Sequence, residues 1–189
     1  PKVVWASSGA RLYAAITQFD ASLVPTRSPY VWDGNTSNQM LPCFQRPMLT
    51  TEVTEALTQP GAGAVTAGTH YVGVLFETKS GYWTRPGPAN SSLVLVPQSI
   101  ASTGTNNIRV TLTPASTWPT WIQAVQVIMT TATNSFEYFV VPGTITPVTA
   151  GGAGAVTVDL SISDLQLTSI GSQGAGTLAT DYFGLLSMN

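Results

Sequence analysis

Apolar and polar residues alternate at a period of two through much of this chain. Val72, Val74 and Phe76 alternate with Tyr71, Gly73, Leu75 and Glu77, which predicts a strand over 71–78 with a buried face. Residues 92–96 form a second β-rich run. Between the two, residues 79–90 hold Ser80-Gly81, Arg85-Pro86-Gly87 and Pro88, which punctuate the chain and exclude a helix. Further on, Ile108, Val110 and Leu112 alternate with Arg109, Thr111 and Thr113, a clean strand pattern. Residues 121–131 are apolar on both parities, with Val125, Val127 and Met129 on one side and Ile122, Ala124 and Ile128 on the other. That is the pattern of a strand inside a sheet. Thr133-Asn134-Ser135 turns into a strand over 136–141. Val156, Val158, Leu160 and Ile162 then alternate with Thr157, Asp159, Ser161 and Ser163.

The flanks are less regular. Residues 1–20 read as a hairpin: Val3, Val4 and Trp5 begin a strand, Ser7-Ser8-Gly9 turns, and Leu12, Ala14 and Ile16 mark the return. Pro25, Pro29, Pro42 and Pro47 make 21–48 a long loop with a short strand around Tyr30-Val31-Trp32. Residues 48–57 suit a helix or a strand equally. The Gly/Ala-rich run 59–68 is the expected boundary, 99–107 reads as loop, and 171–189 is a Gly-rich tail ending in aromatics. The expected organisation is therefore an N-terminal arm of strands and Pro-rich loop (1–58), an antiparallel β-sandwich (59–170) and a tail (171–189).

Composition changes the picture in one respect. The 189 residues are 43% hydrophobic, an ordinary value, but only 8% are charged, against roughly 25% in an average soluble domain. The surface must be built from Ser, Thr, Ala, Gly, Asn and Gln. Either the chain is a hydroxyl-rich extracellular β-protein, or neighbours in an assembly cover much of its surface. A net charge of −2 leaves no basic footprint for nucleic acid or anionic lipid. No apolar run is long enough to span a membrane. The start has no basic, then apolar, signal-peptide pattern and no initiator Met, so a processed chain or a segment of a longer one is expected.

Candidate chemistry is sparse. The single cysteine, Cys43, has no internal partner and reads as a small buried hydrophobe. The single histidine, His70, begins a strand and reads as a surface or strand-edge residue. No metalloprotease, nucleophile-elbow or phosphate-loop motif occurs, so neither an enzyme nor a cofactor is expected. Glu77 and Glu137 could face each other across a cleft as glycosidase carboxylates do, but solvated strand faces explain them more simply. Asp33 and the pair Asp159 and Asp164 lack calcium-loop spacing, and no metal is expected. Aromatics are the remaining resource. Tyr82 and Trp83 lie in the turn-rich link beside Arg85, where a core role is not implied, and Tyr182 and Phe183 close the tail. These five are the candidate interface or binding residues. Subunit packing or glycan stacking would each use them.

The order of features over 69–167 carries a resemblance. HYVGVLFETKSGYWTRPGPANSS runs from an aromatic-rich strand through an acidic residue into a polar-Gly turn. NIRVTLTPAS follows, then the hairpin IQAVQVIMTTATNSFEYFVV, and VTVDLSISDLQL closes the series. This resembles the fibronectin type III-like, immunoglobulin-fold module of bacteriophage virion proteins. Met129 stands where many such modules have an arginine, and Gly81-Tyr82-Trp83-Thr84-Arg85-Pro86 replaces their Gly-x-x-S-x-P turn. The resemblance implies a structural part of a particle, whether tail, hub, fibre or capsid-associated. Copies of itself and other virion proteins would be its partners, with a host-surface glycan as the alternative.

Overall fold

The structure, a computed structural model, describes residues 2–8, 11–17, 30–32, 41–42, 46–79 and 81–169. Cys43, Tyr182 and Phe183 lie outside them. At the N-terminal end, β1 (Lys2–Ser8) and β2 (Arg11–Thr17) pair antiparallel, with Trp5 opposite Ala14. The short strands β3 (Tyr30–Trp32) and β4 (Leu41–Pro42) extend this into a four-stranded sheet.

Two further antiparallel sheets make a β-sandwich. One has the order β12-β8-β5, formed by β5 (Val53–Thr58), β8 (Ile108–Pro114) and β12 (Val156–Leu160). The other has the order β10-β9-β6-β7. It comprises β6 (Gly68–Thr78), β7 (Gln98–Ser102), β9 (Ile122–Thr131) and β10 (Asn134–Val140), with β11 (Thr146–Pro147) also pairing with β9. Inward residues of one parity fill the space between the sheets: Val72, Val74 and Phe76 from β6, Val125, Val127 and Met129 from β9, Ile108, Val110 and Leu112 from β8, and Val158 and Leu160 from β12. The doubly apolar run lies between β10 and β6, as its pattern requires. Its second face is covered too, because Leu75, Ile128 and Val140 form a smaller cluster on the other side of the same sheet. In the immunoglobulin order the last strand pairs within the CFG sheet, whereas here β12 returns to lie beside β8.

Several expectations need correction. Residues 92–96 do not form a strand. Asn90 folds the chain back on itself there, and only Leu95 bridges to Ala89. The strand that pairs with β6 is instead β7, in the stretch read as loop. Its sequence, QSIAS, turns little apolar surface inward, so no hydrophobic alternation marks it. Of the two options open for 48–57, the strand is the one observed: β5 pairs with β8 from Val53 opposite Pro114 to Thr58 opposite Arg109. The following link is bonded into the sandwich: the Gly63 N–H donates to the Thr105 carbonyl at 2.8 Å and the Ala64 N–H to Ser161 Oγ at 3.1 Å, while Val65 is fully buried. The core tryptophan is Trp118 from a loop, with Nε1 donating to the Gly154 carbonyl at 2.7 Å. Trp121 is only partly buried and packs against the margin of the core.

A short helix, α1 (Asp164–Ser169), follows β12 and was not anticipated. Ser163 and Gln166 cap it reciprocally: the Gln166 N–H donates to Ser163 Oγ, and the Ser163 N–H to Gln166 Oε1 at 3.1 Å.

Candidate functional site

From Tyr82 to Gly87 the link after β6 lies along the edge of β6. Thr78 Oγ1 donates to the Tyr82 carbonyl at 3.0 Å and accepts from the Tyr82 N–H at 3.1 Å, which closes the turn. Trp83 then bridges to Glu77, and the Thr84 N–H donates to the Phe76 carbonyl. The Phe76 N–H donates to Thr84 Oγ1 at 3.2 Å, so a buried threonine hydroxyl stands in for a ladder carbonyl. Gly87 completes the run by exchanging N–H and carbonyl with Val74. The edge of β6 is therefore used twice, by β7 over residues 68–72 and by the link over residues 74–77.

This geometry sorts the candidates. Trp83 is half-buried and packs on the Leu75, Ile128 and Val140 cluster, so it has a structural task that its place in a turn-rich link concealed. Tyr82 is half-buried at the turn. Arg85 is exposed, and its side chain makes no ion pair among the described residues. The link thus brings Tyr82, Trp83 and Arg85 together on one hairpin.

His70 is the clearest correction among the chemical candidates, since it is fully buried rather than at the surface. Its Nδ1 lies 2.9 Å from the Thr130 carbonyl oxygen and its Nε2 2.8 Å from that of Thr66. Asp164 Oδ1 stands 4.0 Å from Nδ1. Asp164 also accepts from the Ala132 N–H through Oδ2, and its own N–H donates to Thr66 Oγ1. Both ring nitrogens face backbone carbonyl oxygens, and the cluster fastens β6, β9, the 59–68 link and α1 to one another. That arrangement fits a structural joint and leaves neither nitrogen to a substrate.

Glu55 is a polar residue that sequence reasoning passed over. It shares the inward parity of Val53 and Leu57 on β5, and both carboxyl oxygens are buried with no hydrogen-bond partner. Burial alone pushes its carboxyl up to about 8. Burial also raises the Tyr138 phenol, with smaller contributions from Glu55 and Tyr71. Glu77 is half-buried and Glu137 exposed. Glu137 accepts from Asn134 Nδ2 at 3.1 Å. Among the described residues no group of three or more His, Cys, Asp or Glu is placed to hold a metal ion, and no helix is long and apolar enough to cross a membrane.

A groove of about 510 Å³ lies between the turn after β10, the end of β12 with the residues after it, and α1. Val141, Pro142, Thr144, Leu160, Ile162 and Ser169 are among the residues that line it. It carries one carboxylate, Asp159, whose oxygens accept from Arg109 Nε and Nη2 at 2.7 Å. The Arg109 guanidinium holds that carboxyl below the usual range.

Compared with protein-family models, with curated proteins and with solved structures, the chain matches none of them.

Proposed function

We propose that this chain is a non-catalytic structural subunit that works by packing on copies of itself and on other proteins of a particle. The particle is a bacteriophage virion, the setting that the resemblance over 69–167 implies. The observation that carries the reading is the character of the exposed surface. The outward residues of the three-stranded sheet are Thr54, Ala56, Thr58, Thr113 and Thr157, with the Arg109–Asp159 pair neutralising itself beside them. Elsewhere Phe136, Leu165, Val94, Ile145 and Leu93 are exposed, with Phe136 at 92%. A surface with few free charges and several exposed large apolar side chains is suited to burial against neighbours.

A glycan-binding reading needs an open aromatic platform, and Trp83, the residue best placed for one, is instead packed on the Leu75 cluster. Assembly therefore ranks above adhesion. Molecular mass measured by light scattering across a wide concentration range tests it. Discrete oligomers whose population rises with concentration are expected, and a monomer at every concentration would sink the proposal.

A further inference from the structure

His70 is the single histidine of the chain, and it is fully buried. Each of its ring nitrogens faces an oxygen that can only accept. The Thr130 carbonyl lies 2.9 Å from Nδ1 and the Thr66 carbonyl 2.8 Å from Nε2. Neutral imidazole carries one N–H, so it satisfies one of these carbonyls and turns a ring lone pair on the other. Imidazolium carries two N–H groups and satisfies both. Asp164 has the complementary need. Its Oδ2 accepts from the Ala132 N–H, whereas its Oδ1 is buried with no hydrogen-bond partner and stands 4.0 Å from Nδ1. With a neutral ring the site would hold two faults at once: a carbonyl facing a lone pair, and a buried carboxylate oxygen facing no opposite charge. Each is costly inside a protein. A single proton on the ring removes both.

Among the described residues no other group competes with Asp164 for the ring. β7, β9 and the 59–68 link contain no ionisable side chain, and α1 contains only Asp164. On β6 itself Tyr71 has the opposite parity and shares the outer face with Leu75. On β10, Glu137 is exposed and Tyr138 packs on the outer cluster of Leu75, Ile128 and Val140. From the facing sheet, Arg109 and Asp159 pair with each other at the surface. Glu55 is the one inward carboxyl of that sheet, and burial keeps it protonated up to about 8. At neutral pH it offers the ring no charge.

We propose that His70 is held as an imidazolium in the folded chain at neutral pH, and that its proton is the latch that seats α1 on the sandwich. Asp164 opens α1, its N–H donates to Thr66 Oγ1 at 2.8 Å, and Leu167 of the same helix is fully buried. When the pH rises and the ring loses its proton, one carbonyl meets a lone pair and Asp164 Oδ1 loses its counterion. β6 and β9 are paired along seven positions, whereas α1 is six residues long. The helix is therefore the part that yields, and its release uncovers Leu167. The device is a pH-sensitive clasp, closed at neutral pH and loosened in alkali. It holds for a single copy and does not depend on the chain assembling.

Nitrogen-resolved NMR of the imidazole tests this in the intact chain, where one histidine gives one ring spectrum. At about pH 7.5, where an ordinary histidine is mostly neutral, both ring nitrogens should carry protons. The Leu167 N–H donates to the Ser163 carbonyl and reports on α1. On titration to higher pH its protection from hydrogen exchange, corrected for the intrinsic rate, should fall about tenfold or more in step with loss of the ring proton. The same fall is expected in Glu55→Gln, which removes the other inward carboxyl; its absence there would make Glu55 the latch and overturn the proposal. Asp164→Asn keeps an acceptor for the Ala132 N–H but removes the charge. In it the ring should lose its proton about one pH unit or more below the wild type, with Leu167 about tenfold less protected at about pH 7.5. A wild-type ring with one bare nitrogen at that pH overturns the proposal. So does a ring proton lost with no change at Leu167, or an Asp164→Asn ring that titrates as in the wild type. The wild-type measurements decide the matter even where Asp164→Asn does not fold.

Discussion

Glu55 places an unpartnered carboxyl inside a sandwich with few other buried ionisable groups. Its folded value of about 8 lies well above the ordinary 4.5. Below about pH 4.5 both folded and unfolded chains hold the proton, and the group costs no ionisation energy. Between the two values the unfolded chain releases its proton while the folded one keeps it, so stability falls as pH rises, and above about 8 the full penalty applies. Glu55→Gln is expected to raise stability by on the order of a few kcal/mol at pH 9 and by little near pH 4. Urea denaturation of both proteins at the two pH values checks this, and an equal offset at both would mean that ionisation is not the cause. Parity already pointed inward at Glu55, in step with Val53 and Leu57, and at His70, in step with Val72, Val74 and Phe76. Residue type argues against burial at both positions, and the strand pattern prevails. A buried polar group is legible only if its partners are known, and those of His70 are carbonyls from Thr66 and Thr130, the latter sixty residues along the chain.

Elements were legible where burial imposes a period. β6, β8, β9 and β12 each line the core with alternate residues, and all four follow from the sequence pattern. β7 did not, because an edge strand needs only backbone partners and its QSIAS sequence is mostly exposed. α1 could have been found from Ser163 and Gln166, whose spacing is that of a capping box. The groove was beyond reach, since it is made by the turn after β10, the end of β12 with the residues after it, and α1. The hairpin at the end of β6 makes a sharper test of element-level reasoning. Thr84 Oγ1 is the acceptor for the Phe76 N–H inside the sheet edge. Thr84→Val keeps the side-chain shape and β propensity but leaves that donor without a partner, so a loss of about 1–3 kcal/mol is expected. Hydrogen exchange should accelerate at Phe76 and at the link amides more than in β8. A variant of wild-type stability would show that water or another group satisfies the donor.

At the scale of the whole molecule, the poverty of charge sets how the proposed assembly would respond to its surroundings. The ion pairs Arg46–Glu52 and Arg109–Asp159 are exposed and internal to the chain, and solvent-screened pairs of this kind contribute little to stability. In the assembly proposed above, neighbouring copies would have few free charges with which to attract or repel one another. Their contacts would draw on apolar burial and hydroxyl hydrogen bonds, neither of which is screened over a Debye length. The self-association constant is therefore expected to change less than about threefold between roughly 0.1 and 1 M sodium chloride. Sodium sulfate at equal ionic strength should strengthen association instead, because excluded salts favour apolar burial. Sedimentation velocity in the two salts separates the alternatives. Steep dissociation in sodium chloride would mean that charge pairs across the interface, rather than apolar docking, hold the copies together.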